Sequence, residues 1–131
     1  MFPKYRAWHP DLSLMLDVSL VDYKKQLLVG YHWRFGETDF ISFDEVALME
    51  SIGLFDKNKQ EVFEGDIITN GRDILLVKKH NTLGFYVEKD GEVELLADGA
   101  SLEEFDEFAE EFADSIEILG NVYQNQNLLK K

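Results

Sequence analysis

Two dipeptides in the second half of the sequence constrain its fold more than any other feature. Asn70-Gly71 and Asp90-Gly91 each separate two runs that are rich in aliphatic and aromatic residues. Asn, Asp and Gly accept the positive φ that a tight β-hairpin turn requires, so each dipeptide predicts a hairpin. Four consecutive antiparallel strands are therefore expected at 67–69, 74–78, 84–89 and 92–96, with the connection between the hairpins at 81–84.

One helix is predicted after these strands. Ser101-Leu102-Glu103-Glu104 is a capping box, in which the Ser hydroxyl and a Glu side chain satisfy amides that would otherwise be free at a helix start. Apolar residues then recur at three- and four-residue spacing over about 102–114, which places one apolar stripe against a core. At 116–119 the apolar residues return to a two-residue period, which predicts the last strand. The acidic residues expected on the outer face are Glu103, Glu107, Glu110, Glu111 and Asp114.

The first half of the chain favours short strands. Alternating or apolar runs at 4–8, 12–18, 26–31, 38–43 and 46–52 indicate a β meander. We therefore predict an α+β, mostly β protein, in which an N-terminal β-rich half (1–62) packs on a C-terminal half (63–131). The second half is expected to be an SH3-like, partly open barrel with the amphipathic helix before its last strand.

A polar turn and a sharp corner join the two predicted halves. Within 52–68, Glu64-Gly65-Asp66 lies between apolar runs. Gly65 is expected to supply an unusual backbone angle, and the two acids to accept hydrogen bonds from amides of the turn. A Ca²⁺ or Mg²⁺ site is the weaker alternative, since such sites need more convergent oxygens. The segment 56–67 also fails as an EF-hand loop, because Glu61 stands at position six and Ile67 at position twelve.

Composition limits the classes of function. The formal net charge is −13, from 13 basic and 26 acidic residues, which argues against a dedicated nucleic-acid binder. The chain has no cysteine, so it has neither a disulfide framework nor a thiolate site. Its N-terminus lacks the apolar run of a signal peptide or membrane span. We expect a cytoplasmic protein without a cofactor.

No catalytic motif is present in the sequence. His9, His32 and His80 lack the spacing of metal ligands on a helix, and are expected to be independent turn or strand residues. Neither a nucleophile elbow nor a phosphate-binding glycine loop occurs. We therefore expect no metal site and no enzyme, and an enzyme with a dispersed site stays as an alternative.

Three separated stretches resemble the YopX family of small bacteriophage and prophage proteins. They are the opening Tyr5-Arg6-Ala7-Trp8, the centre from Gly53-Leu54-Phe55-Asp56 to Phe63-Glu64-Gly65-Asp66, and the close at Gly120-Asn121-Val122-Tyr123. The chain departs from the family pattern at Lys59, where a turn Gly is common, and at Gln126, where a Pro is frequent. The resemblance implies a mostly β protein of phage origin in a bacterial cell, without catalytic residues. It defines a structural corner of Gly53, Asp56, Glu64, Gly65, Asp66, Gly120 and Asn121.

The acidic charge is concentrated in one segment. Between Glu88 and Glu117 lie 13 of the 26 acidic residues, with Lys89 as the only base. We interpret the outer helix face as a surface for a protein partner, such as a basic host protein that binds nucleic acid. The alternative is that this charged face only keeps the protein soluble. Self-association through exposed strand edges also stays open.

Nucleic-acid binding through the first half is a third hypothesis. Aromatic residues there accompany bases, and such pairs can stack nucleobases and contact phosphates. In strands, however, aromatic residues more often pack in the core or form cross-strand pairs. The residues concerned are Lys4, Tyr5, Arg6, Trp8, Tyr23, Lys24, Lys25, Tyr31, Trp33 and Arg34.

Overall fold

A computed structural model of the protein describes residues 4–82, 84–96 and 102–129, with helix side chains from Glu107 onward. The strands are β1 (Tyr5–His9), β2 (Leu14–Asp22), β3 (Leu27–His32), β4 (Gly36–Ser42), β5 (Ala47–Phe55), β6 (Glu61–Phe63), β7 (Asp66–Thr69), β8 (Ile74–His80), β9 (Gly84–Lys89), β10 (Glu92–Leu95) and β11 (Glu117–Asn121). One helix, α1 (Leu102–Ser115), precedes β11, and two 3-10 turns lie at Phe43–Glu45 and Gln126–Leu129. The prediction of a mostly β protein with one helix before the last strand is confirmed.

The chain divides into two compact units. Unit 1 is Met1–Ser51 and unit 2 is Ile52–Lys131. The boundary therefore falls inside β5, whereas the sequence suggested a division between residues 62 and 63. The division into halves 1–62 and 63–131 stays a prediction.

The strands form two antiparallel sheets. The first has the order β4-β3-β2-β1-β5-β6, so the consecutive strands β1 to β4 are neighbours in a meander. The second has the order β10-β9-β8-β7-β11, in which the last strand pairs with β7. Both hairpins predicted in the second half are present, as β7 with β8 and β9 with β10. β6 was not predicted from the sequence.

The two predicted hairpin turns differ in their chemistry. At the second turn, Asp90 (φ 50°) and Gly91 (φ 84°) both adopt positive φ, as a two-residue type I′ turn requires. At the first turn only Gly71 (φ 91°) does so, and the expectation of positive φ at Asn70 is wrong. The Asn70 side chain acts instead, because its Oδ1 accepts hydrogen bonds from the amides of Arg72 and Asp73.

Each unit has its own hydrophobic core. The buried residues of unit 1 centre on Leu16, Leu28 and Ile41. Gly30 lies beside Leu16, and a Cβ at Gly30 would stand 2.9 Å from Leu16 Cδ1, so a side chain there does not fit. In unit 2 the buried cluster is Ile52, Leu54, Val62, Ile68, Val77, Val87, Phe112 and Ile116. Unit 2 therefore buries residues from its strands and from its helix together.

The helix packs on the core of unit 2 through an apolar stripe. Phe112 is buried, and Phe108 and Ala109 are half-buried against the same cluster. The capping residue Ser101 and the side chains of Glu103 and Glu104 lie outside the described residues, as does Leu83 in the predicted connection. Across the described ranges, no closed barrel is formed and no helix is long and apolar enough to cross a membrane.

Candidate functional site

Asp56, one residue of the structural corner, has a buried carboxylate that accepts hydrogen bonds from backbone amides. Its Oδ1 accepts hydrogen bonds from the amides of Asn58 and Gln60, each at 2.9 Å. Its Oδ2 accepts the amide of Ile118 at 3.0 Å. Asp56 is 2% exposed. One side chain therefore closes the turn after β5 and also holds the last strand, β11, against it.

Backbone hydrogen bonds bring the centre and the end of the corner together. The amide of Lys57 donates to the carbonyl of Ile116, and the amide of Val122 donates to the carbonyl of Gly65, both at 2.8 Å. Gly65 in turn donates its own amide to Val77 at 2.8 Å. Its φ is 88°, which a side chain would strain. The unusual backbone angle expected at this glycine is present.

Asp66 and Glu64 flank that glycine. The Asp66 side chain is 1% exposed, and its Oδ2 accepts the amide of Phe63 at 2.8 Å. Glu64 is half-buried. Within the described part of the chain, no group of three His, Asp or Glu side chains is placed to hold a metal ion. The arrangement is suited to fixing a turn.

Gly120 and Asn121 form the remaining part of the corner, at the end of β11. Asn121 Oδ1 accepts the amides of Tyr123 and Gln124, both at 3.0 Å. Its own amide donates to Asn125 Oδ1 at 3.1 Å. A Cβ at Gly120 would stand 2.9 Å from the Cβ of Asn125, so the folded-back Asn125 side chain leaves no room there. Gly53, with φ 78°, lies within β5.

The acidic helix face is exposed to solvent. Glu107, Glu110, Glu111 and Asp114 are exposed, and the last turn of α1 contains no basic residue. Across the described residues, none of these four carboxylates takes part in an ion pair. The structure thus brings four of the five predicted surface residues onto one open face. The Glu103 side chain lies outside the described residues.

Ion pairs neutralise other members of the acidic segment. Lys78 Nζ lies 2.9 Å from Glu88 Oε2, and Lys57 Nζ lies 3.6 Å from Glu117 Oε2. The Glu88 carboxylate raises the pKa of Lys78 above its ordinary value. Cross-strand pairing in β8 and β9 creates the first contact, so the linear sequence did not reveal it.

A third ion pair connects the turn between β7 and β8 with the end of β9. Lys89 Nζ lies 2.7 Å from Asp73 Oδ1. The hydrogen bond from Lys89 is the main cause that lowers the pKa of Asp73, and the same contact raises the pKa of Lys89. Sequence reasoning missed this pair because the two residues are distant along the chain.

The aromatic and basic residues of unit 1 lie in several strands and turns, and the register places Arg6 and Tyr31 opposite the same residue of β2, Asp17. Tyr5 and Tyr23 share a hydrogen bond of 2.7 Å between their hydroxyls, and this bond is the main cause that raises the pKa of Tyr5 to about 12. Trp33 lies in the turn between β3 and β4 and is 79% exposed. Its neighbour Arg34 stands over the Phe35 ring at 5.9 Å.

Each histidine accepts a backbone amide of its own turn. Nδ1 of His9 accepts the amide of Leu12, Nδ1 of His32 that of Arg34, and Nδ1 of His80 that of Thr82. The His32 ring also stacks on Trp33 and on Phe35, with centroid distances of 5.6 and 5.0 Å. Each histidine therefore has a local hydrogen-bonding role, and His9 and His32 also line one groove of unit 1.

An apolar groove in unit 1 was not predicted. It has a volume of about 560 Å³ and lies beside β4, between that strand, the segment leading into β2 and the turn after β3. Its apolar lining residues are Leu12, Leu14, Leu16, Phe35, Phe40 and Ile41. The residues that line the groove come from segments that are distant in the sequence, so no local pattern marks it.

Comparison with known proteins agrees with this arrangement. A family model described as YopX protein matches residues 4–130. The chain belongs to the YopX family. Protein EF1440 from Enterococcus faecalis, known from a crystal structure, is similar in fold to this YopX chain, with a TM-score of 0.53 and 23% sequence identity over 99% of both chains. A comparison with curated proteins gave no match.

The geometry explains one departure of this YopX chain from its family pattern. Lys59 has a φ of 63°, in the left-handed region that favours glycine, and its amide donates to the carbonyl of Asp56 at 3.0 Å. A glycine at this turn would avoid the steric cost of roughly 1 kcal/mol that a side chain imposes. Gln126, the second departure, begins a 3-10 turn.

Proposed function

We propose that the protein is a non-enzymatic protein–protein interaction module, and that the outer face of α1 binds a basic partner. The surface consists of Glu103, Glu107, Glu110, Glu111 and Asp114, which share one side of a helix by their spacing. The observation that carries the proposal is that the four described members are exposed and form no ion pair in the part of the chain described.

The acidic face works against the stability of its own helix. Glu107 and Glu111, and likewise Glu110 and Asp114, are like charges four residues apart, which repel each other. Glu111 and Asp114 also lie near the negative end of the helix dipole, where an acid is unfavourable by about 0.3–1 kcal/mol. A face needed only for solubility has no reason to concentrate acids there. A partner with clustered Lys and Arg residues would relieve both effects.

We further propose the cellular setting. The YopX relationship supports a phage or prophage origin, and hence the cytoplasm of a bacterial host. The partner is a basic host protein that binds nucleic acid, with the helix face imitating the phosphate backbone. Unit 2 is proposed to be a relative of partly open SH3-like barrels, because the first strand of its five-stranded sheet, β7, pairs with the last, β11.

Charge reversal tests the proposal. The variant E107K/E110K/D114K and the control D11K/D17K/E94K each replace three exposed acids, so both change the net charge from −13 to −7. In a pull-down from bacterial lysate, the wild type and the control are expected to retain a basic protein that double-stranded DNA displaces. The helix variant should fold with at least wild-type stability and lose that protein. Equal retention by both variants would refute the proposal.

Nucleic-acid binding through unit 1 is the second candidate. The exposed Trp33 with Arg34 and Phe35 offers a small stacking surface at the turn after β3. Against it, residues 1–51 contain 8 acidic and 5 basic residues. Titration with a single-stranded oligonucleotide at low salt tests this candidate. Quenching of Trp33 fluorescence that weakens with salt would favour it, and the absence of any response would exclude it.

A further inference from the structure

The first sheet ends in an open edge at β4. This strand is the last in the order β4-β3-β2-β1-β5-β6. The amide of Phe43 donates to the carbonyl of Gln26 at 3.0 Å, and bonded pairs alternate with unbonded ones along an antiparallel ladder. Ser42, opposite Leu27, and Phe40, opposite Val29, therefore direct their amide and carbonyl groups away from β3. Among the described residues no further strand pairs with this edge, so these backbone groups are available to an added strand.

An apolar surface lies directly beside this edge. Leu12, Phe35 and Phe40 line the groove and are 61%, 67% and 64% exposed. Ile41 and Leu16 form its floor and belong to the core of unit 1. Neighbouring exposed apolar side chains of this size mark interaction sites on soluble proteins. A strand added at β4 would place its side chains over this groove.

The acidic residues along β4 determine which kind of partner this edge attracts. The segment 36–45 carries Glu37, Asp39, Asp44 and Glu45, all exposed, and contains neither Lys nor Arg. A second copy of β4 would bring the same acids close to these, which disfavours pairing between two copies. A segment that carries Lys or Arg would be attracted instead. Charge complementarity thus favours a basic partner over self-association.

We propose that β4 and the adjoining groove bind an extended, basic segment of another protein by strand addition. The segment alternates apolar residues, which enter the groove, with Lys or Arg residues, which meet Glu37 and Asp39. Main-chain hydrogen bonds to Phe40 and Ser42 supply affinity, as in other cases where a peptide extends a sheet. The bulge between the Val29 and Tyr31 pairings keeps the regular part of the edge short, so the segment is short as well. This surface lies in unit 1 and does not depend on the helix face.

Ser42 offers a selective way to block the edge. Its φ of −68° is the value that proline adopts, and its amide makes no bond to β3. Ser42→Pro therefore removes the outward amide while the strand conformation is retained. The Ser42 Oγ accepts the amide of Asp44, and both Ser42→Pro and the control Ser42→Ala lose this contact. The two variants differ in the edge amide and in the space that the proline ring fills.

The probe is a synthetic eight-residue peptide that alternates valine and lysine, with both ends blocked. Binding is measured at about 0.15 M NaCl, where charges beyond about 8 Å are screened, by amide shifts of residues 36–42 in NMR spectra. We expect Ser42→Pro and Glu37→Lys/Asp39→Lys each to weaken binding about tenfold, the effect of a lost hydrogen bond or charge contact. Ser42→Ala and the helix variant E107K/E110K/D114K should stay within about threefold of the wild type.

Two further measurements make the result decisive. A peptide with N-methylated amides along one edge cannot pair as a strand, and it should bind the wild type at least about tenfold more weakly, whatever the fold of the Ser42→Pro variant. Equal weakening by the helix variant, or none by N-methylation, would overturn the proposal in favour of general electrostatic attraction. A dimer that Ser42→Pro dissociates, without binding of the peptide, would overturn it in favour of a second copy.

Discussion

Asp56 is a single residue whose side chain connects segments that are distant in the sequence. Its carboxylate accepts amides from its own turn and from Ile118, which lies 62 residues further along the chain. A buried carboxylate is unfavourable unless hydrogen bonds compensate it, and here three amides do so. The acid in the Gly-Leu-x-Asp stretch of the family pattern therefore has a structural role in this chain.

Removal of the Asp56 carboxylate should destabilise unit 2. Asp56→Ala leaves three amides without an acceptor, and the expected loss is about 2–3 kcal/mol of unfolding free energy. Asp56→Asn keeps one acceptor oxygen and should lose less. Urea denaturation measures both, with the exposed Asp11→Ala as the control, for which a change within about 0.5 kcal/mol is expected. The structural role would be contradicted if Asp56→Ala unfolded at the same urea concentration as this control.

The sequence predicted residue roles only where the cause is local. Gly65 and the second hairpin turn follow from backbone geometry that only a few residue types adopt, so their identity was informative. The contact of Asp56 with Ile118 was not predictable, because it depends on β11 reaching the turn after β5. Asn70 shows an intermediate case. Its residue type indicated a turn correctly, but the type alone did not decide between positive φ and side-chain capping.

Elements were predictable for the same reason. The residue types of the turns located both hairpins of the second half, and apolar residues three and four positions apart located the helix. Strand order was not predictable, since β11 pairs with β7 and β5 with β1 across long separations. β6 is three residues long and has too little alternation to be recognised. The acidic face of α1 was predictable from spacing, whereas the groove beside β4 arises only from tertiary packing.

The first hairpin of unit 2 should show a pH response at Asp73. Lys89 holds the pKa of this carboxyl below its ordinary value, and Asp73 raises the pKa of Lys89 above its ordinary value. Because the pKa of Asp73 is lowered on folding, its contribution to stability is fully present above the pKa that it has in the unfolded chain. This contribution is lost as the pH falls through the pKa of Asp73 in the folded protein. Because the pKa of Lys89 is raised on folding, its contribution to stability is fully present below the pKa that it has in the unfolded chain. This contribution is lost as the pH rises through the pKa of Lys89 in the folded protein. The pair therefore connects the turn of this hairpin with β9, with both groups charged, between these two limits.

Lys89→Met should raise the pKa of Asp73 toward its ordinary value. An NMR titration of the Asp73 side chain from about pH 2 to about pH 6 measures this shift. Arg72 and Asn70 also lower the pKa of Asp73, so part of the depression should persist. Lys78→Met is the matched control, because Lys78 pairs with Glu88 and should leave Asp73 unchanged. An Asp73 titration that is identical in wild type and Lys89→Met would disprove the assigned cause.

At the scale of the whole molecule, the net charge of −13 opposes folding through self-repulsion. Raising NaCl from about 10 mM to about 500 mM shortens the screening length from about 30 Å to a few ångströms. The melting temperature is therefore expected to rise by roughly 5 °C. Chloride is used because sulfate stabilises proteins by exclusion as well as by screening. The variant E107K/E110K/D114K should respond less, because its net charge is −7 and its helix face is no longer uniformly acidic. Two outcomes would contradict this expectation: a melting temperature that does not change with NaCl, or an equal rise in the wild type and the variant. Either would show that the acidic face carries no repulsion that a basic partner could relieve.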